Sequence, residues 1–295
     1  MGTSSENLVD DSDTTSILNP VTAAELKGWY SFGFATEGYA ALAIAIFFPI
    51  ILEGLAANVA VESLDHSVAC NVSVPQYDCS LEIGSNYVPT TSLVFYATTI
   101  SVLIQFIVFI SLGALADHGT HRKQFLMFFG YMTSIIGFCT LFVVSDSLWW
   151  MAFLIYILSN ITFGASFVFF YAWVPILTRN DSRVIEASAL SDTATYYKVS
   201  DTVGNEISSK GFAYGYLAAF VQLVIASGFA MLFGDGAKYG LTNYYGLQIG
   251  VAFSSVWAAV ILWFYTQPLL DERPGPPLPP GENYILFSYK KRTNI

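Results

Sequence analysis

Between two long apolar runs, residues 113–124 read Gly-Ala-Leu-Ala-Asp-His-Gly-Thr-His-Arg-Lys-Gln, gathering an Asp, two of the three histidines and two of the twelve Lys and Arg of the chain. Asp117, His118 and His121 are metal-ligand types, and His at i and i+3 can share a helix face. The remaining histidine, His66, lies far upstream. No multi-histidine iron cluster of a lipid-modifying enzyme can be assembled from this set, so no metal is expected. No Ser/His/Asp triad, His box or phosphate-cradling glycine loop occurs elsewhere. The chain is read as a non-enzyme without a cofactor.

The elements that must position these residues are membrane spans. Hydrophobic residues make up 54% of the chain and charged residues 12%, against roughly 25% charged in soluble domains. A bilayer crossing takes about 20 mostly apolar residues, and six runs qualify, at residues 31–55, 92–116, 124–145, 149–177, 212–234 and 246–266. Backbone polar groups cannot stay unpaired in lipid, and runs this long exclude barrel strands. The expected fold is an all-α polytopic membrane protein of six transmembrane helices. Residues 1–28 form an acidic tail read as disordered, 29–268 the bundle with a luminal loop at 56–91, and 269–295 a proline-rich cytosolic linker. No nucleic-acid partner is expected.

With the amino terminus in the cytosol, Lys27, Arg122, Lys123, Arg179, Arg183, Lys198, Lys210, Arg273, Lys290, Lys291 and Arg292 all fall on the cytosolic side, eleven of the twelve basic residues. Only Lys238 opposes them, and the positive-inside rule then sets both termini in the cytosol. The long loop on the other side carries Cys70 and Cys79, read as a disulfide against the alternative of two free thiols, and Asn71-Val72-Ser73, a glycosylation acceptor triplet of a kind that also arises by chance. Cys139, inside the third run, reads as packing.

Polar residues inside the spans mark a candidate pathway. Glu37 lies one to two turns into the first run, where an ionisable group faces a cavity, a partner or the interface. Asn160 and Tyr171, near one face of the fourth run with Gly164, and Gln222, on a stripe with Gly211, Gly215 and Ala218 in the fifth, are the other candidates. Such stripes also serve plain helix packing. Thr98 and Gln105 on the second run are weaker members.

Gly113, Leu115, Asp117, Arg122 and Lys123, in the loop after the second span, resemble the signature loop of the major facilitator superfamily, with His118 standing where a basic residue is usual and Gly119 one place early. The resemblance implies that Asp117, Arg122 and Lys123 form a conformational latch; the alternative is that charges simply terminate spans. Glu25-Leu26-Lys27-Gly28-Trp29-Tyr30 leading to Gly33-Phe34-Ala35-Thr36-Glu37, then Ser209-Lys210-Gly211-Phe212-Ala213-Tyr214-Gly215-Tyr216, then Arg273-Pro274-Gly275-Pro276-Pro277-Leu278-Pro279-Pro280-Gly281, resemble the autophagy-related protein 22 family. That implies a vacuolar membrane and efflux of amino acids freed by autophagy. Superfamily members have two six-helix halves, so the chain is expected to supply one, to need a second half or a homodimer, or else to be a half-length assembly partner, regulator or truncated product without transport of its own.

Overall fold

A backbone crossing lipid must bond to itself, and the computed structural model, which describes residues 19–74, 77–190, 192–234, 236–279, 281 and 283–290, meets that demand with six helices long and apolar enough to span a membrane. The protein is an all-α polytopic membrane protein. Most of the acidic tail, and Lys291 and Arg292, lie outside the described residues.

The first span is α1 (Ala23–Gly38), a π-helical segment Tyr39–Phe47 and α2 (Phe48–Ala57). It starts inside the stretch assigned to the tail, because the Thr22 hydroxyl accepts the Glu25 N–H at 3.1 Å and caps the helix. The second span is α3 (Thr90–Asp117); the third is α4 (Arg122–Phe138) with a 3-10 turn Cys139–Phe142; the fourth is α5 (Trp149–Ala172), running into α6 (Val174–Arg179). After α7 (Ser182–Ala189), α8 (Thr193–Phe233) forms the fifth span. The sixth is α9 (Tyr245–Ile261), a π-helical segment Leu262–Thr266 and α10 (Gln267–Leu269). Both π segments sit just ahead of a proline, Pro49 or Pro268, which has no N–H to return to the carbonyl four residues back.

At 41 residues α8 is about 60 Å long, roughly twice the hydrocarbon thickness. The apolar run at 212–234 covers only its second half. Its first half is polar, exposed on much of its surface, and begins at Asp192, whose carboxylate caps the Ala194 N–H at 3.1 Å.

Side chains bury themselves in two clusters stacked along the bundle. At the end of the α3–α4 loop, Trp29, Phe32, Trp173, Leu177, Leu262 and Leu270 pack together. At the other end Tyr39, Phe48, Ile51, Leu52 and Tyr156 pack beneath an antiparallel sheet of β1 (Val61–Glu62), β2 (Cys79–Ile83) and β3 (Asn86–Pro89), in the order β1-β2-β3. Cys79 and Leu81 of β2 belong to this cluster. These are called the loop end and the sheet end.

At the loop end, the Glu25 carboxylate is fully buried and receives both edges of the Arg273 guanidinium, Nε at 2.5 Å and Nη2 at 2.7 Å, while Nη1 donates to the Asn19 carbonyl at 2.9 Å. This pair ties the start of the first span to the segment after the sixth. Gly28 lies one turn along, where a Cβ would stand 2.6 Å from the Leu270 nitrogen, so only glycine permits the contact.

Breaking a buried pair strands a charge, at a cost of about 3–5 kcal/mol. Arg273→Ala is therefore expected to lower the unfolding free energy by about that amount, read by thermal or denaturant unfolding in nanodiscs, and the Glu25→Leu/Arg273→Met double variant is expected to recover most of it. A near-neutral Arg273→Ala would show that the pair does not hold the bundle.

Candidate functional site

The seam between α1, α5 and α8 collects the chemistry. Trp29 stacks on Phe170 with ring centroids 4.5 Å apart and donates its indole N–H to the Phe170 carbonyl at 3.1 Å. Its far edge lies over Gly211, where a Cβ would come within 2.6 Å. One turn on, Gly215 leaves room for Glu37, whose Cγ would stand 2.5 Å from a Cβ there. Gln222 fits against Gly38 in the same way, its amide nitrogen 2.2 Å from where a Cβ would be. Glycines on one helix thus admit the bulky and polar side chains of the other.

Glu37 is half-buried in a narrow pocket with Trp29, Gly33, Tyr171, Val174 and Ser208, and among the described residues it has no ion-pair or hydrogen-bond partner. Fourteen residues separate it from the start of α1, about 21 Å along the axis. It therefore lies deeper along its helix than one to two turns, because the helix starts at Ala23. Gln222 is fully buried, and among the described residues neither its amide oxygen nor its nitrogen has a partner. Tyr171, itself 45% exposed, shares the Glu37 pocket, so the pocket opens at the bundle surface.

Asn160 stands elsewhere. Its amide donates to the Tyr156 carbonyl at 3.0 Å within α5, and its own carbonyl accepts the Gln105 amide at 2.8 Å. Gly164 receives Phe109 and Gln105, and Thr98 bonds the Tyr156 hydroxyl at 3.2 Å. This second polar stripe joins α3 to α5, and Asn160 is spent on packing rather than on the Glu37 pocket.

The 113–124 stretch is also arranged differently from a side-chain latch. Arg122 is buried, and its Nε donates to the Ala116 carbonyl at 2.6 Å, its Nη2 to the Asp117 carbonyl at 3.4 Å and its Nη1 to the Arg273 carbonyl at 3.0 Å, with the guanidinium 5.8 Å over the Trp173 ring. It stabilises the negative carboxyl end of α3. The Asp117 carboxylate is exposed and receives none of these bonds. Lys123 faces Glu272 across a surface cleft; burial raises the Glu272 carboxyl above its ordinary range, and Lys123 and Arg122 draw it back. Gly119 turns at φ +77° and exchanges main-chain bonds with the proline-rich segment, donating to Pro276 O at 3.2 Å and accepting from Gly275 N–H at 2.8 Å. Beyond it α11 (Tyr284–Lys290) lies on α3, with Tyr289 and Ser111 hydroxyls 3.1 Å apart. Sequence reading singled out Glu25 and Arg273 only as parts of separate stretches; nothing marked them as partners.

At the sheet end Cys70 and Cys79 are joined, with Cα atoms 5.7 Å apart, and exposed Asn71 accepts the Ser73 N–H at 3.1 Å. His66 stacks on Tyr87 there, and among the described residues no group of His, Cys, Asp and Glu could hold a metal.

Residues 21–295 match the family described as vacuole effluxer Atg22 like. The chain belongs to that family. It is 29% identical to autophagy-related protein 22 of Coccidioides immitis over 92% of its own length and 53% of the relative's, and 28% identical to that of Pyricularia oryzae over 95% and 47%. Autophagy-related protein 22-2 of Sclerotinia sclerotiorum is 30% identical over 88% and 47%. The chain spans about half the length of the curated relatives it matches. No solved structure matches it. The three stretches that carried the family resemblance meet in space: Glu25 pairs with Arg273, Trp29 covers Gly211, and Tyr30 lies 5.5 Å from Tyr214.

The geometry separates the two halves of the expected latch. Hydrogen bonds from charged groups contribute roughly 1.5–3 kcal/mol each, so Arg122→Ala is expected to destabilise the chain by about 2 kcal/mol or more, whereas Asp117→Asn is expected to leave the unfolding midpoint in nanodiscs unchanged. Equal loss in the two variants would restore a carboxylate–guanidinium latch within this chain.

Proposed function

We propose that this chain forms the amino-terminal six-span bundle of a vacuolar transporter that returns amino acids to the cytosol, and that cargo passes along the α1–α5–α8 seam. The observation that carries this reading is Glu37, a carboxylate in a membrane span, seated in a pocket with Tyr171 and lacking a cation among the described residues. An ionisable group in that setting is costly unless used. Buried Gln222, with both amide atoms unpartnered, extends the polar track toward the sheet end. Family membership supports the vacuolar membrane and the efflux role. It also supports transport rather than catalysis.

A second six-span bundle completes the pathway, either in the same polypeptide or in a partner chain, with residues 269–295 as the cytosolic linker. The spans on α3 and α8 favour this: only 17% of each apolar window is buried, against 39–56% in the other four. Those faces are the ones a facing bundle would cover, and rocking of two bundles about a midplane site is how such carriers work. The Asp117 carboxylate, exposed and without a hydrogen bond from Arg122, would then meet its partner on the second bundle. Both termini lie in the cytosol, with Cys70, Cys79 and Asn71 in the lumen, in accord with the charge asymmetry.

Proteoliposomes test the reading. Saturable L-leucine flux is expected from the chain co-reconstituted with a six-span second half of a relative, and Glu37→Gln is expected to slow it about tenfold or more, equivalent to about 1.4 kcal/mol of barrier. Flux from a crosslink-verified monomer would remove the need for a second bundle; flux only from a crosslinked dimer would make it a homodimeric carrier; none in either arrangement would favour an assembly or regulatory role. Orientation is tested separately: endoglycosidase should shift the gel mobility of wild type and not of Asn71→Gln, and labelling of reduced Cys70 from the cytosol would overturn the topology.

A further inference from the structure

Where the polar half of α8 leaves the bundle it forms one wall of a cleft of about 430 Å³, and α6 forms the other. A volume of this size is typical of small-molecule sites. On α8 the lining residues Tyr196, Ser200, Gly204 and Ser208 recur every four positions, with Asp201 and Asn205 beside them, so one helix face looks into the cleft. Facing them are Thr178 and Arg179 of α6. Gly204 allows the walls to approach: a Cβ there would lie 3.3 Å from the Thr178 hydroxyl.

Among the described residues, the side chains lining this cleft make no hydrogen bonds to one another, and one of them is cut off from water as well. Thr178 is 7% exposed, its hydroxyl faces Gly204, and among the described residues it has no partner. A buried hydroxyl left so costs about 1–3 kcal/mol. Among the described residues, the side chains of Ser200, Asn205 and Ser208 also make no hydrogen bond, and neither Arg179 nor Asp201 forms a salt bridge. The neighbouring charges behave oppositely. Arg183 pairs with Asp181 at 3.0 Å and with Glu206 at 2.8 Å, and Lys210 pairs with Glu206 at 2.7 Å, so that network is closed on itself. The cleft therefore holds one cation and one anion, each available, with hydroxyls and an amide between them.

We infer that this cleft binds the backbone zwitterion of a free amino acid, the α-carboxylate on Arg179 and the α-ammonium on Asp201. The hydroxyls of Thr178 and Ser200 and the amide of Asn205 supply the remaining hydrogen bonds, and the side chain points toward Val174 and Pro175. Val174 and Ser208 line both this cleft and the Glu37 pocket, so the cleft is the outer vestibule of the seam. The inference rests on the transport reading for the identity of the cargo, and it adds a second, shallower station at the loop end. Recognition of the charged backbone, which all amino acids share, leaves the side chain free to vary.

The test is equilibrium binding to the full chain in neutral-lipid nanodiscs, which requires no second bundle and no flux. The probes are L-alanine, L-alaninamide, which lacks the carboxylate charge, and N-acetyl-L-alanine, which lacks the ammonium. Wild type should prefer L-alanine to either analogue by about 10- to 100-fold, the equivalent of one charge-assisted contact. Arg179→Ala should weaken L-alanine by a similar factor and leave L-alaninamide unchanged, Asp201→Asn should do the converse with N-acetyl-L-alanine, and Arg179→Lys should retain most of the affinity. Because both residues are on the surface, the variants should unfold at the wild-type midpoint. Equal binding of the three probes, no binding of L-alanine to wild type, or L-alanine binding lost in Glu37→Gln but kept in both cleft variants would overturn the inference. The last result would place the cargo at Glu37 and leave the transport reading standing, whereas flux abolished without loss of L-alanine binding would separate the two in the other direction and uphold the cleft.

Discussion

A carboxylate that keeps its charge away from solvent needs a cation or a full set of hydrogen-bond donors, and Glu25 has its cation in Arg273, 248 residues away in sequence. That requirement organises the loop end. Once the Arg273 side chain is committed to Glu25, its carbonyl is held where Arg122 can donate to it. Arg122 spends its other donors on the last carbonyls of α3, so a single chain of charge-assisted bonds fastens the first, second, third and sixth spans. Gly119 and Gly275 continue the fastening through main-chain bonds, which is possible because a Cβ on Gly275 would strike the Asp117 carbonyl at 2.2 Å. The sheet end has no comparable ion pair among the described residues. It is held by apolar packing around Phe48, Ile51 and Tyr156 and by the Cys70–Cys79 link.

With α1 anchored at its start, its register against α8 follows. Three large side chains face three glycines across the seam: Trp29 against Gly211, Glu37 against Gly215, and Gln222 against Gly38. Each glycine lets a helix approach that a methyl group would block, and two of the three guests are polar. The polarity of the seam is therefore a product of close packing, not a gap in it. The π-helical turns of the first span begin at Tyr39, directly after this contact. Widened turns of that kind frequently mark functional positions in membrane helices.

Helix number and membrane class were legible because apolar run length is a direct consequence of bilayer thickness, and each of the six runs overlaps one span, three of them overshooting its end by one to three residues. Helix ends were less so. The first half of α8 is too polar to register as a run, and the start of α1 depends on the Thr22 cap, so Glu37 was placed too near the end of its helix. Tertiary partners were not legible. Glu25 and Arg273 carry no periodic signal that could join them, and the Asn160 stripe and the Gln222 stripe look alike in sequence although one is satisfied by Gln105 and Tyr156 and the other is not satisfied at all. The latch that the superfamily resemblance implied for Asp117, Arg122 and Lys123 gave no hint that the buried Arg122 guanidinium bonds the main-chain carbonyls at the end of α3. The polar i, i+4, i+8, i+12 face at Tyr196, Ser200, Gly204 and Ser208 was present in the sequence and is visible once α8 is known to start at Thr193.

Unpartnered buried polar atoms occur where α8 meets its neighbours. Several polar side chains between other spans are paired: Gln248 bonds the Thr242 hydroxyl and the Thr140 and Val143 carbonyls, Tyr39 bonds Ser159, and Thr133 bonds Thr162, whereas Ser254 Oγ and the Trp173 indole nitrogen have no partner among the described residues. Of the six buried side-chain atoms without a partner among the described residues, three belong to Gln222 and Thr178, and both lie where α8 meets a neighbour. Glu37 and the Arg179–Asp201 cleft border the same helix. An unpaired buried group costs stability wherever it sits, and Gln222 on α8 and Thr178 on α6 carry that cost where α8 meets α1 and α6. α8 is also, with α3, the span least enclosed by its own bundle. It is joined to α1 through glycine contacts rather than through the ion pair and carbonyl clamp that lock α1, α3, α4 and α10. A helix held to α1 by shape and to α7 by the exposed Arg183–Glu206 pair can shift against α1 and α6 without breaking a buried charge, and any such shift alters the Glu37 pocket and the outer cleft together, because Ser208 is in the wall of both.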